Sequence, residues 1–220
     1  MTSEYGGWGR THLSRCRAVE LPMDLLSSPY QTDPIISRGN GLSYGDASTI
    51  ESGSVLLNSN FLGLSIDGDI LTVGSGETIS STTKFLRERQ FELAVVPGTG
   101  NVTIGGAIAA DIHGKNHHKV GSFGNHVLEL EVDIPNQGRT WISRSNSDLA
   151  FSATIGGMGL TGIIYQAKLK VMPRLSDYVH VSRISGSGFP NLIEVLSEDS
   201  INDIYSIAWI DLARVSQTKA

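Results

Sequence analysis

The sequence predicts an α+β fold, and three observations carry that expectation. Apolar residues occur mostly in short runs that read as strands, with few long helical patterns between them. Glycine, 25 of the 220 residues against a usual level of roughly 7%, is clustered at the ends of those runs. The hydrophobic fraction is 40% and the charged fraction 18%, which suits one large soluble domain or two small ones. The same figures exclude a disordered chain, and the glycines have no collagen period. With 17 Lys and Arg against 22 Asp and Glu, the net charge is −5. No nucleic acid is therefore expected as a partner.

The elements follow in chain order. Residues 34–38 read as a buried strand running into a glycine loop, and residues 55–58 as another short strand. Residues 64–73 alternate in polarity on either side of Asp67-Gly68, a hairpin signature. A helix is predicted over residues 79–90, capped by Thr78 or Ser80, with Ile79, Thr83, Leu86 and Gln90 as its stripe. Residues 93–97 form a strand stopped by Pro97, and a nearly uncharged glycine-rich stretch follows to Ala110. Residues 127–134 alternate as a strand with one wet face, turn at residues 135–138 and return through residues 140–142. A short helix over residues 146–154, capped by Ser145 or Asn146, breaks at Gly156. Residues 163–172 form a strand ending at Pro173, residues 190–197 a helix with Pro in its first turn, and residues 205–210 a last strand. Glycine thins out beyond about Val171, so a second unit is expected to begin there.

Cys16 is the single cysteine, so no internal disulfide forms. Its neighbours Arg15 and Arg17 would favour a thiolate, but an incidental thiol on a basic strand or loop is the preferred reading. The N-terminal residues lack a signal-peptide layout, and no stretch approaches the roughly 20 apolar residues of a transmembrane segment. The expected location is cytoplasmic. The sequon at Asn101 reads as chance in that setting.

Three glycine clusters carry the chemistry: residues 38–46, residues 97–107 continuing to His118, and residues 156–164. Glycine lets a ligand approach the backbone, and successive N–H groups in such turns form an anion nest. Three nests at strand ends suit a pyrophosphate. The Rossmann pattern is not met, because after Gly39 and Gly41 the third glycine, Gly45, comes one place late. A Walker loop is absent, since Asn116 follows Gly114-Lys115. Residues 41–45 match the G-x-S-x-G elbow of serine hydrolases, without an evident helix after Ser43. His113 and His117 are four apart, a spacing that binds a metal only on a helix, which Gly114 and Asn116 disfavour; no cysteine joins them and His118, and no metal is expected.

The block from Gly105 through Asp111, His113, Gly114, Lys115, Asn116, His117 and His118, followed by Gly121-Ser122-Phe123-Gly124-Asn125-His126, resembles the flavin domain of FAD-linked oxidases of the vanillyl-alcohol oxidase type. Supporting matches are Gly7-Trp8-Gly9-Arg10-Thr11, Arg38 through Asp46, Gly159 through Ile164, and Ala208-Trp209. Within that superfamily they are most similar to the oxidoreductase subunits of decaprenylphosphoryl-β-D-ribose 2′-epimerases. The resemblance implies a PCMH-type FAD-binding domain of two subdomains over residues 1–172, divided near residues 97–104. The start of a substrate domain would follow at residues 173–220.

It also implies FAD as cofactor and an address for it. Arg38, Gly39, Asn40, Gly41, Leu42, Ser43 and Tyr44 would form the pyrophosphate loop. Gly98, Thr99, Thr103, Ile104, Gly105 and Gly106 would line the second side. Ala110, Asp111, Ile112 and His113 would lie along the isoalloxazine, with Ile164 contacting the cofactor from the third cluster. His113, Lys115 and Trp209 would face the substrate. Many relatives attach FAD through a histidine at the Leu42 position, so dissociable FAD is expected here. The subfamily usually has Arg at the Leu42 position and Cys at the Ala110 position, and its stretch between Trp8 and Arg38 is longer by about one helix. The implied reaction is oxidation of a sugar secondary alcohol by hydride transfer to flavin N5. The substrate is a small-molecule or lipid-linked sugar, and a partner reductase would complete an epimerisation. The catalytic base is expected in a C-terminal region that this chain lacks. Lys115 suits a phosphate-bearing ligand. An aldonolactone or alditol oxidase, and a non-catalytic flavin-binding module, are the alternative readings.

Overall fold

A computed structural model of the chain describes residues 2–20, 34–186, 189–198 and 203–211. It is an α+β structure with two sheets. The first contains β1 (Thr2–Gly6), β2 (Leu13–Val19), β3 (Ile35–Arg38) and β4 (Ser54–Leu57), in the order β1-β2-β4-β3. The β1–β2 pair is antiparallel, while β4 runs parallel to both its neighbours. In β2, Ser14 and Cys16 point inward and Arg15 and Arg17 outward, the period of two that a half-buried strand requires. That short alternation of a serine and a cysteine with arginines was not legible as a strand.

The second sheet is antiparallel, in the order β5 (Leu64–Asp67), β6 (Ile70–Gly74), β10 (Ile163–Pro173), β8 (Val127–Ile134), β9 (Gly138–Ser143). β7 (Phe91–Leu93) pairs with the far end of β10. The sheets change over at residues 58–63. Residues 97–104 lie in a connection between strands of the second sheet. The predicted hairpin is present, but Asp67 pairs with Ile70, so its tight turn is centred one residue later, on Gly68-Asp69. β7 ends at Leu93, four residues before Pro97, because only Phe91, Glu92 and Leu93 find partners on β10.

The helices are α1 (Ile79–Arg87), α2 (Ile104–Ala109), α3 (His117–Val120), α4 (Arg144–Thr154) and α5 (Phe189–Glu198). Thr78 caps α1 by accepting from the Ser81 N–H. Its buried face is Ile79, Thr82 and Leu86, and it stops before Gln90, which takes a positive φ of 61°. α4 begins two residues before the expected start. Ser143 and Asn146 form its capping box, and Ser147 breaks the helical backbone inside it. α2 was missed, because its sequence Ile-Gly-Gly-Ala-Ile-Ala combines two poor helix formers. Tertiary packing overrides that preference: Ile104, Ala107 and Ile108 are fully buried. Residues 205–210 are not a strand; the described residues there are irregular. The helix thought missing between Trp8 and Arg38 would fall largely on residues 21–33, outside the described residues.

The main core lies between the second sheet and α1, α2 and α4, with Leu71, Leu86, Ile108, Leu130, Phe151 and Leu169 each at most 1% exposed. A smaller cluster of Leu56, Phe61, Ile163 and Tyr165 joins the two sheets. Phe61 and Tyr165 stack there at 4.9 Å. Leu130 sits at the centre of β8, so Leu130→Ala is expected to cost roughly 3 kcal/mol through lost burial and an uncollapsed cavity, read as a shift in the urea unfolding midpoint.

Candidate functional site

β3 delivers the chain into the first glycine loop. Its guanidinium-bearing last residue, Arg38, donates to the Gly6 carbonyl at 2.7 Å and to the Ser48 carbonyl and hydroxyl at 3.2 and 3.1 Å. It also lies over the Tyr5 ring. Arg38 thus ties β1 to the loop from behind, and burial draws its pKa below the ordinary guanidinium value. Gly41 takes φ +67°, with the Arg38 guanidinium packed where a Cβ would stand. The N-terminal turn closes on the same loop through the Trp8 N–H to Ser43 carbonyl bond, 3.0 Å. Trp8 and Tyr44 meet edge to face, both exposed.

The second segment reaches this loop from the other side. Asn40 donates to the Asn101 carbonyl at 2.8 Å, and Gly39 lies against the Thr103 side chain with no room for a Cβ. Thr103 is the N-cap of α2 and accepts from the Gly106 N–H at 3.2 Å. The Ile104 and Gly105 N–H groups are bound by the carbonyls of Glu77 and Ser75, which seats α2 on the end of β6. The third segment closes on the other end of α2. Gly156 donates to Ile108 and Met158 to Ala109, at 3.0 and 2.8 Å. A Cβ on Gly159 would stand 3.8 Å from Ile36 on β3. Three segments widely separated in sequence therefore meet around one short helix.

Their backbone is poised to bind. Among the described residues, no N–H of residues 40–44 or 98–100 donates to a protein acceptor. Gly45 and Gly98 open onto free space. Unsatisfied N–H groups in adjoining turns form a concave donor surface for an anion.

After α2 the chain turns at Asp111, a non-glycine residue with φ +42°. Its carboxylate accepts from the Gly124 N–H at 2.8 Å. Ile112 accepts from Phe123, and His113 bridges to Ser122. Asn116, 2% exposed, donates to the Ala94 carbonyl at 2.8 Å. His113 and Lys115 are exposed between these two anchors. The Lys115 carbonyl accepts from the Ser206 N–H at 3.0 Å, which brings the Trp209 segment beside this loop. Trp209 itself is 83% exposed.

Several expected contacts take another form. The Ile104 and Ile164 side chains lie in the main core, so neither side chain is open to a ligand. Ser43 bonds the Ser48 hydroxyl at 2.8 Å and is followed by turns, with no histidine bonded to it among the described residues. That disposes of the hydrolase elbow. His126 is bound to the Val120 carbonyl. Among the described residues, no group of three His, Cys, Asp or Glu side chains is arranged to hold a metal. Cys16 is 1% exposed, and burial pushes its thiol up from the usual value, so a reactive thiolate is not what the arginines produce. Sequence reasoning missed the anchoring roles of Ser75, Asn116 and the Gly6–Trp8 turn. The one visible signal was Gly-Trp-Gly near the start.

Residues 29–143 match the family profile described as an FAD binding domain. The chain belongs to this FAD-binding family. The FAD-binding chain is 38% identical over 184 residues to the decaprenylphosphoryl-beta-D-ribose oxidase of Mycolicibacterium smegmatis, covering 80% of this chain and 40% of that protein. It is 35% identical over 118 residues to an uncharacterized Streptomyces coelicolor protein from the mprA 5′ region, covering 54% and 32%. It is 26% identical over 183 residues to the D-lactate dehydrogenase of Archaeoglobus fulgidus, covering 80% and 39%. The FAD-binding chain thus spans about two fifths or less of the length of these curated relatives. No helix among its described residues is long and apolar enough to cross a membrane.

Proposed function

We propose that this chain is the FAD-holding part of a cytoplasmic oxidoreductase that oxidises a secondary alcohol of a lipid-linked sugar. The observation that carries the reading is the meeting of unpartnered N–H groups at residues 40–44 and 98–100, a donor set matched to a pyrophosphate. The similarity to a decaprenylphosphoryl-ribose oxidase supports the sugar. The D-lactate dehydrogenase supports the coarser statement, oxidation at a CH–OH carbon.

The assignments follow from placement. Gly39 to Tyr44 and Gly98 to Thr99 receive the pyrophosphate through backbone donors, with Arg38 as the brace behind them. Thr103 to Gly106 hold the second loop at its distance. Ala110 to His113 run along the flavin, and His113, Lys115 and Trp209 stand on the substrate side. Bound FAD supplies two-electron redox chemistry for the carbon being oxidised. The chain's own residues orient the cofactor and present the substrate's alcohol to it; the proton-accepting base belongs to the substrate domain that begins at residues 173–220. A separate reductase completes an epimerisation.

Absorbance titration with FAD tests the reading. Flavin bands that shift and saturate on binding support it, and a spectrum identical to free FAD refutes it. Leu42 offers no nucleophile where relatives attach the cofactor. Acid precipitation of the yellow protein is therefore expected to release all its flavin, and flavin retained in the pellet would contradict dissociable binding. Anaerobic bleaching by phosphoribosyl lipids, lactones or alditols, using the full-length gene product, separates the substrate classes.

A further inference from the structure

Two lines of contact meet on the turn that leads from β6 into α1. The first comes from the first sheet. Arg38, where the first glycine loop begins, is paired with Leu57 at the end of β4. From Leu57 the chain crosses to the second sheet through residues 58–63. That crossing is laid directly on the turn. The Gly74 N–H donates to the Gly63 carbonyl at 2.9 Å, and the Gly76 N–H to the Phe61 carbonyl at 2.8 Å. A Cβ on Gly74 would overlap the Phe61 carbonyl, and one on Gly76 the Asn58 carbonyl, so the close approach needs glycine at both places. The buried Asn58 amide adds a bond to the Ser75 hydroxyl at 3.4 Å.

The second line comes from the second glycine segment. The Gly105 and Ile104 N–H groups donate to the Ser75 and Glu77 carbonyls at 2.8 and 2.7 Å. The Ile79 and Ser80 N–H groups donate to the Val102 and Gly100 carbonyls, both at 2.9 Å. The turn is itself pinned to β10 by the Ser75 N–H on the Tyr165 carbonyl, 2.8 Å. Residues 74–80 therefore hold the crossing that carries the first loop and the segment that carries the second. The loops also touch at their tips, Gly39 against Thr103 and Asn40 on Asn101.

The Glu77 side chain fastens this bracket. Its half-buried carboxylate accepts from the Gly63 N–H at 3.1 Å through one oxygen and from the Ser81 hydroxyl at 2.6 Å through the other. Ser81 belongs to the capping box of α1. Hydrogen bonds to a carboxylate are stronger than neutral ones, so the crossing is held to α1 more firmly than a backbone contact alone would hold it.

We propose that Glu77 is a positioning residue for the cofactor. By fixing residues 58–63 against α1, it sets the separation at which the donors of residues 40–44 and 98–100 meet one pyrophosphate. That the two loops share an FAD rests on the reading above; that Glu77 fixes their separation does not. Donors already in place bind better, because none of the binding energy goes into bringing them together. Glu77 acts through Gly63 and Ser81 and touches no ligand itself.

Absorbance titration with FAD, joined to amide hydrogen exchange of the FAD-free chain, tests the assignment. Glu77→Ala is expected to weaken FAD about tenfold, the factor that one hydrogen bond to a charged group commands. Exchange should quicken in residues 58–63 and 98–106 together, while residues 127–134 of β8 exchange as in the wild type. Glu77→Gln keeps an oxygen for Gly63, so its affinity should return to within about threefold of wild type. Leu130→Ala is the stability control: it lies away from the turn and should bind FAD as the wild type does at a temperature where it is folded. A lowered Tm with unchanged FAD affinity in Glu77→Ala would make the residue merely structural and overturn the proposal. Faster exchange confined to residues 58–63, a Gln variant as weak as the Ala variant, or an equal loss of FAD in Leu130→Ala overturns it too. Should Glu77→Ala not fold, Glu77→Asp takes its place, since it keeps the charge but is one methylene short of Gly63. A similar loss is expected there, and unchanged affinity overturns the proposal. If the wild-type chain never binds FAD, the cofactor reading fails instead, and the exchange pattern still decides whether Glu77 couples the crossing to the second segment.

Discussion

Replacing Gly39 by valine is expected to abolish FAD binding while leaving the folded chain intact. Gly39 is the point where the first glycine loop touches the second. A Cβ there overlaps the Thr103 hydroxyl and stands 3.1 Å from its methyl. Thr103 cannot swing away freely, because its oxygen caps α2 through Gly106. Relief must come from parting the two loops, which also strains the Asn40 to Asn101 bond. The donors of residues 40–44 and 98–100 then no longer address one pyrophosphate. Loss of about two such charge-assisted contacts predicts at least about 100-fold weaker FAD, or roughly 2.7 kcal/mol. Absorbance titration measures it. The main core lies elsewhere, so the circular dichroism spectrum should be unchanged. An FAD dissociation constant within a few-fold of wild type would show that the loops do not share a ligand.

Gly162→Ala is expected to give the largest loss of stability among single-methyl additions in the third cluster. Gly162 enters β10 with φ +154°, which L side chains rarely adopt. A Cβ there overlaps the backbone carbonyl of Asp133 and stands 3.3 Å from the Ile134 Cα. Backbone obstacles of this kind cannot rotate aside. Strain and overpacking each contribute about 1–3 kcal/mol, so a loss of about 3 kcal/mol is expected. For a chain of this size that lowers Tm by roughly 6–12 °C, read by differential scanning calorimetry. An unchanged Tm would mean that β8 and β10 can part at this point without cost.

The outcomes at these glycines mirror what the sequence disclosed. Strands β3, β4, β5, β6, β8, β9 and β10 were legible because their apolar residues alternate or run together between turn signals. The glycine clusters were legible as turns that converge at strand ends, because glycine supplies backbone conformations that other residues avoid. α2 was not legible, since its helix exists only through the burial of Ile104, Ala107 and Ile108, a tertiary cause with no local trace. β1 and β2 were hidden for a related reason, because the inward positions of β2 are Ser14 and Cys16 rather than large apolar residues. The strand expected at residues 205–210 rested on an apolar run alone; a strand also needs a partner ladder. Within the candidate site, Arg38 illustrates a limit of reading residues from a resemblance. A basic residue beside a pyrophosphate loop suggests a direct contact, whereas its guanidinium is turned to Gly6 and Ser48.

The central place of β10 also governs how the chain acquires its structure during synthesis. Among the described residues, β10 is the one strand bonded to β6, β7 and β8 alike, and its register joins Ala167 to Val73. Until residues 163–173 leave the ribosome, β6 and β8 have no common partner and present unpaired edges. Such edges invite pairing between nascent chains. Closure then requires contacts of long sequence separation, which makes it slow. Residues 64–162 therefore wait, largely translated, for the strand that completes their sheet.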